Sequence, residues 1–296
     1  MSVPAIRVSD LHKTYGKTTA LSGLDFEIPA GQVTGFLGPN GAGKTTSFRS
    51  LLGLTRADSG EMEILGIPSP GGLREITKRV GVIIEEPGLI RALTGRVNLL
   101  VAADTLGFGH ERIPELLEFV GLTADANRRV SEYSKGMRQR LALAAAMIGD
   151  PDLLILDEPL DGLDPAGQHV FKARLRGLAE EGKTVVVSSH NLSDIEALAD
   201  YVVVIDRGRL VTQGPLSSML DGGGTRVEVV EIDQAVAALG SAGLEVTRAD
   251  DHLRVATEDG SAIVRVLAGA GIYPSVVRPA RSSLEQVFLG MTGNDS

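Results

Sequence analysis

The sequence predicts an α/β fold, a mainly parallel sheet covered by helices, followed by a small C-terminal α+β domain of βαββαβ pattern. Three observations carry this expectation. Short β-rich runs recur with helical stretches and glycines between them. The middle of the chain switches to helical spacing, and the composition changes after a glycine-rich stretch at 221–224.

The expected strands of the main unit are 33–37, 80–84, 153–156, 184–188 and 201–205. Uninterrupted apolar residues at 153–156 and 185–187 suit strands buried on both faces, as a parallel sheet requires. Between about 88 and 150 the apolar residues Val97, Leu99, Leu100 and Ala103, then Leu116, Leu117 and Val120, recur at helical intervals. This stretch reads as a helical subdomain inserted in the α/β unit. The polar glycines at 221–224 are expected to separate a domain at 1–220 from one at 221–296. Residues 221–296 contain 6 Arg, no Lys and 11 Asp or Glu, a net −5. Their runs at 227–232, 234–239, 245–248, 253–256, 262–268 and 275–277 read in turn as strand, helix, strand, strand, helix, strand.

Composition narrows the function classes. With 296 residues, 43% apolar and 23% charged, the chain has an ordinary soluble composition and room for one large domain and a small one. Its longest apolar run, Leu141 to Ile148, is eight residues, against about 20 for a membrane-spanning helix. The start MSVPAIRVSD lacks a basic n-region and an apolar stretch, so a cytoplasmic location is expected. Without cysteine there is no disulfide and no Cys-ligated metal, which leaves oxygen ligands and five histidines for metal chemistry. A net charge of −9 argues against a nucleic-acid partner, whose backbone is held mainly by basic side chains.

One motif is decisive. Gly38, Pro39, Asn40, Gly41, Ala42, Gly43, Lys44, Thr45 and Thr46 match GxxxxGK[ST], with an expected strand before them and a helix after. Glycines let such a loop turn its N–H groups toward phosphate oxygens, helped by the positive end of the following helix. Lys44 is then placed for the β- and γ-phosphates and the Thr45 hydroxyl for Mg2+. A glycine-rich turn without a ligand is the alternative, and the flanking strand and helix favour phosphate. The apolar run at 153–156 ends in Asp157, suited to Mg2+, and Glu158, suited to polarising an attacking water. Alone, an Asp-Glu pair there would read as a helix cap or surface pair.

Tyr133-Ser134-Lys135-Gly136-Met137-Arg138-Gln139-Arg140 lies upstream of Asp157. In this order and spacing the motifs resemble an ATP-binding-cassette (ABC) ATPase, over residues 3 to about 215. The resemblance implies a P-loop NTPase cassette with a helical subdomain that binds ATP and Mg2+. It places Ser134 and Gly136 at the serine and second glycine of the LSGGQ signature, while Tyr133, Lys135 and Met137 depart from that consensus. In this family the signature faces the phosphate loop of a second subunit, so a homodimer is implied, with Asp164 as the acidic residue of the loop crossing between subunits. By the same resemblance His190 stands as the switch histidine contacting the γ-phosphate, and Tyr15 as the aromatic stacking on adenine. Glu85 occupies a position where the family usually has a glutamine on Mg2+; a carboxylate also suits that hard cation.

Glu85 with Pro87 resembles the exporters of, and immunity proteins against, bacitracin- and lantibiotic-type peptides. Residues 283–289, SLEQVFL, resemble the C-terminal pattern of bacterial drug and antibiotic export ATPases. The implied function is the ATPase of an exporter of an antibiotic, antimicrobial peptide, drug or lipid, peripheral on the inner face of the membrane and driving a separate permease. Leu89, Ile90, Leu93 and Leu99 are the expected apolar contacts for a permease helix, with core packing as their other reading. The ATPase of an importer, and a permease-free ABC ATPase acting on a ribosome or nucleic acid, stay open as alternatives. A regulatory cassette without useful hydrolysis would usually lack Glu158 or His190.

Overall fold

The computed structural model describes residues 3–84, 88–249, 251–281, 283–285 and 287–288. It divides into two compact units, Met1–Leu216 and Ser217–Ser296.

The first unit opens with β1 (Ile6–Tyr15) and β2 (Thr18–Ile28), long strands that alternate buried Ile6, Val8, Leu24, Phe26 and Ile28 with exposed Arg7, Asp25 and Glu27. Reading for compact apolar runs passes over them, because β1 is broken by register shifts and by Asp10 at φ +48°. The wholly buried β3 (Val33–Leu37) leads into α1 (Lys44–Leu51), then β4 (Ser59–Ile64), β5 (Ile67–Pro68), α2 (Leu73–Arg79) and β6 (Val80–Ile83). Helices α3 (Gly95–Leu106), α4 (Ile113–Phe119) and α5 (Lys135–Ala146) form the helical stretch. Thr94 and Ser134 start α3 and α5 by accepting the N–H groups of Val97 and Met137. The unit continues with β7 (Leu153–Leu156), α6 (Pro165–Glu180), β8 (Thr184–Ser189), α7 (Leu192–Glu196), β9 (Tyr201–Asp206) and β10 (Arg209–Pro215). Helix α8 (Leu216–Leu220) contains the division.

Among the described residues of this unit there are two sheets. One is antiparallel, β2-β1-β4-β5; the other, β10-β9-β3-β8-β7-β6, is parallel apart from β10. Apolar runs on β3, β7 and β8 are buried throughout because both sheet faces are covered. Register brings the strand ends together: Leu37 pairs with Ser189, and Leu156 with Val187, two residues before the end of β8. The carboxyl ends of three neighbouring strands therefore open on one mouth, the usual ligand position of such sheets.

The core beneath that mouth is aromatic. Phe36 on β3 packs against Phe26 at 5.1 Å and Phe48 of α1 at 5.0 Å between ring centroids, and all three are buried. Phe36→Ala is expected to destabilise the protein by about 3–5 kcal/mol, since it leaves a cavity between both sheets and α1. Urea unfolding followed by circular dichroism measures this, and a cost under about 1 kcal/mol would show that these rings do not anchor α1.

The second unit comprises β11 (Asp221–Glu228), α9 (Ile232–Ser241), β12 (Val246–Arg248), β13 (Leu253–Val255), α10 (Gly260–Gly269) and β14 (Val276–Arg281), in antiparallel sheet order β12-β13-β11-β14. Its core joins Val227, Leu253 and Val255 with Ala235, Leu239, Ile263 and Leu267 of the two helices. Two expectations need correction. The glycines at 221–224 belong to β11 rather than to a separating stretch, and residues 229–232 leave the strand, with Ile232 opening α9. Glycine carries no side chain to signal a strand, yet the residues on either side, Asp221 and Thr225, pair with β14 across a register shift. Gly224, at φ +98°, also passes so close to the Val255 carbonyl that a Cβ would collide with it.

Candidate nucleotide site

The loop from Gly38 to Thr46 joins β3 to α1 at the mouth just described. Gly43 caps α1 at φ +107°, and a Cβ there would lie 2.8 Å from Leu21 and 2.9 Å from the Ala20 carbonyl. Only glycine lets the loop turn this tightly against β2. Gly38 likewise abuts the Ile205 carbonyl of β9, and Gly208 donates its N–H to the Ala42 carbonyl at 2.9 Å. The loop is thus held on both flanks, with Pro39, Asn40 and Gly41 exposed at its crest and Gly38, Ala42 and Lys44 buried. Thr46 follows on α1, half-buried. Lys44, 6% exposed, donates from Nζ to the Gly38 carbonyl at 2.8 Å and lies 3.5 Å from Glu158 Oε1. A nearly buried ammonium at the positive N-terminus of α1 makes a concentrated positive site.

The carboxylates stand opposite. Asp157, 4% exposed, accepts the Thr45 hydroxyl on Oδ2 at 2.7 Å and the Ser188 hydroxyl on Oδ1. Ser188 in turn accepts the Glu158 N–H at 2.9 Å. Glu158 is held at φ +50°, a conformation that costs an ordinary L-residue about 1–2 kcal/mol. The turn carries its side chain off the strand line to meet His190, whose Nδ1 lies 2.7 Å from Glu158 Oε2. Glu158, Asp161 and His190 each bring a ligand atom within 4.8 Å of the others.

The structure therefore gathers Lys44, Thr45, Asp157, Glu158 and His190 in one place. It leaves other expected residues apart from them. Ser134 spends its hydroxyl on the Met137 N–H at 3.2 Å, and Gly136 faces Leu163 in the loop after Glu158. Among the described residues, no hydrogen bond or ion pair joins Ser134 or Gly136 to the phosphate loop. Asp164 caps α6 by accepting the Gly167 N–H at 2.8 Å. Tyr15, 47% exposed, ends β1 with the Lys13 ammonium 5.1 Å from its ring centroid. Glu85 lies outside the described residues.

Two members of the cluster escape sequence reading. Ser188 is signalled only as a hydroxyl at a strand end, and its contact with Asp157 needs β7 and β8 to be neighbours. Asp161 is three residues past Glu158 and becomes part of the group through the turn at Glu158.

Beside α2 and β6, an apolar cleft of about 620 Å3 is lined by Leu54, Ile76, Val82, Ile90, Val101 and Leu106 among others. Leu89 and Ile90 line it, Leu93 does not, and Leu99 is fully buried. Leu99 faces the packed side of α3, which lies against α5, so it belongs to the core.

The family model described as ABC transporter matches residues 21–161. The Nod factor export ATP-binding protein I of Rhizobium etli is 37% identical over 305 residues, spanning 100% of this chain and 95% of its own length. The chain belongs to the ABC transporter family. A solved structure described as the ATP-binding subunit of an ABC transporter superposes with a TM-score of 0.66 at 29% identity, covering 73% of this chain and 91% of that one. A dimeric ATP-binding cassette in a post-hydrolysis state, bound to ADP and Pi, does so at 25% identity, also with a TM-score of 0.66, over 71% and 98% of the two chains. The ABC cassette corresponds to the α/β unit expected from the sequence, and this chain is an ATP-binding subunit of that family. Among its described residues no helix is long and apolar enough to cross a membrane.

Proposed function

We propose that this chain is the ATP-hydrolysing subunit of an ABC exporter, working as a nucleotide-closed homodimer on a separate membrane permease. The observation that carries the reading is the convergence of Lys44, Asp157, Glu158 and His190 at the carboxyl ends of three adjacent strands. The Thr45 hydroxyl and an Asp157 carboxylate oxygen, 2.7 Å apart, form a hard oxygen pair that fits Mg2+. Bound there, Mg2+ would neutralise charge on the β- and γ-phosphates.

The chain's own residues do the rest. Loop N–H groups and Lys44 hold the phosphates, and the Tyr15 ring offers a face for adenine. Glu158 takes a proton from water as the water oxygen bonds to the γ-phosphorus and the bridging bond to ADP breaks. His190 fixes the Glu158 carboxylate through its 2.7 Å contact and reaches toward the same phosphate. Ser134, Gly136 and Asp164, unconnected to the loop of their own chain, serve the nucleotide held by a second copy. The dimeric cassette bound to ADP and Pi supports this arrangement. Closure on ATP and reopening after hydrolysis supply the movement.

The apolar cleft beside β6 suits a short helix of the permease, with Leu89 and Ile90 as contacts. Export is supported by relatives named for Nod factor export. The cargo meets the permease, so antibiotic, peptide, drug or lipid is selected there, and the subunit works peripherally at the inner face of the membrane.

The test is co-purification of tagged Glu158→Gln with Mg-ATP from detergent-solubilised membranes of the native host. A multi-helix membrane protein is expected to come along. Recovery of only ribosomal or soluble partners by the ATP-bound protein would overturn the transporter role in favour of a permease-free ATPase.

A further inference from the structure

Lys135 breaks a local rule. It is the first residue of α5, directly after the Ser134 cap, where the helix end is already positive and a cation is unfavourable. No acidic residue in the first turn offsets it. Among the described residues its ion pair is with Asp161, at 3.9 Å and more than half exposed on both sides. An exposed pair of this kind is weak, enough to balance the unfavourable helix end and little more.

The path of the side chain is shaped nonetheless. Lys135 lies across Gly162, at φ +69°, so closely that a Cβ there would come within 2.5 Å of its Cδ. Gly162 thus provides a channel that leads the ammonium to Asp161. Asp161 in turn shares its surroundings with Glu158 and His190. A cation from the signature segment is thereby parked on the residue beside the proposed general base, in an arrangement that binds it weakly.

Resting on the dimeric ATPase reading above, we infer that Lys135 exchanges partners. In the open chain its ammonium pairs with Asp161, and in the closed dimer it leaves Asp161 for the γ-phosphate of the nucleotide held by the second copy. A dianionic γ-phosphate outcompetes a single exposed carboxylate, because charge-assisted contacts to it are made where water is excluded. Asp161 and the γ-phosphate are then competitors for one cation.

Competition and simple structural support predict opposite signs. The measurement is the Mg-ATP concentration giving half-maximal dimer, followed by light scattering in the Glu158→Gln background. Lys135→Met is expected to raise that concentration by about two- to fivefold, and Lys135→Arg to restore it. Asp161→Asn is expected to lower it by a similar factor, since the competitor is gone, and to have no effect once Lys135 is Met.

If both single variants raise the concentration, the pair is only a brace and the exchange is overturned. The exchange also fails if Asp161→Asn acts equally with and without Lys135. Absence of any ATP-dependent dimer in the Glu158→Gln parent would overturn the dimeric reading itself, so the two failures are distinct.

Discussion

Glu158→Gln is expected to lower kcat for ATP hydrolysis by about 10²- to 10⁴-fold, the range of a lost general base, while ATP binding persists. The amide matches the carboxylate in shape and retains an oxygen facing His190, which lies 2.7 Å from Glu158 Oε2. It cannot accept the water proton at neutral pH. The positively charged group nearest the lost charge is Lys44, at 3.5 Å from Oε1, which the substitution releases further toward phosphate. Nucleotide affinity is therefore unchanged or slightly higher. Steady-state phosphate release and equilibrium binding of a fluorescent ATP analogue separate the two quantities. A kcat equal to that of the parent protein would remove Glu158 from the base role, and a collapse of binding would make it a ligand instead.

Lys44→Ala acts on binding. It is expected to weaken ATP binding by about 2–5 kcal/mol, roughly 30- to several thousandfold, the cost of truncating one member of a buried charge contact. The ammonium is 6% exposed and donates to the Gly38 carbonyl at 2.8 Å, so its removal costs both the cation and the order of the loop. Isothermal titration with ATP, alongside circular dichroism to confirm folding, reads the loss. Binding within about threefold of the parent would show that loop N–H groups alone hold the phosphates.

Much of the site was legible along the chain because phosphate binding is local chemistry. A strand, a glycine-rich turn and a helix N-terminus are consecutive in sequence, so Gly38 to Thr46 stand out as a candidate phosphate loop by themselves. Asp157 and Glu158 are legible for the same reason, as the polar end of the apolar run Leu153–Leu156. The antiparallel strands β1 and β2 were not, because their alternation is interrupted by register shifts that only the partner strand explains. The glycines of β11 are illegible for a related reason: they sit at a register shift within a strand defined by the pairing of Asp221 and Thr225–Glu228 with β14, not by side chains.

Composition, motif order and apolar runs alone determined the α/β class and marked the candidate phosphate loop and carboxylates, since each depends on residues adjacent in the chain. Tertiary structure decided what stands beside what. It made β8 the neighbour of both β3 and β7, so that Ser188 grips Asp157 and His190 meets Glu158 across intervals of about thirty residues. It turned Glu158 out at φ +50°, drew Asp161 into the cluster and laid Lys135 over Gly162. It also buried Leu99 while leaving Ile90 exposed on the cleft, although both are apolar residues of one segment. These contacts join distant segments through sheet register and helix packing, and no periodicity within a single segment encodes them.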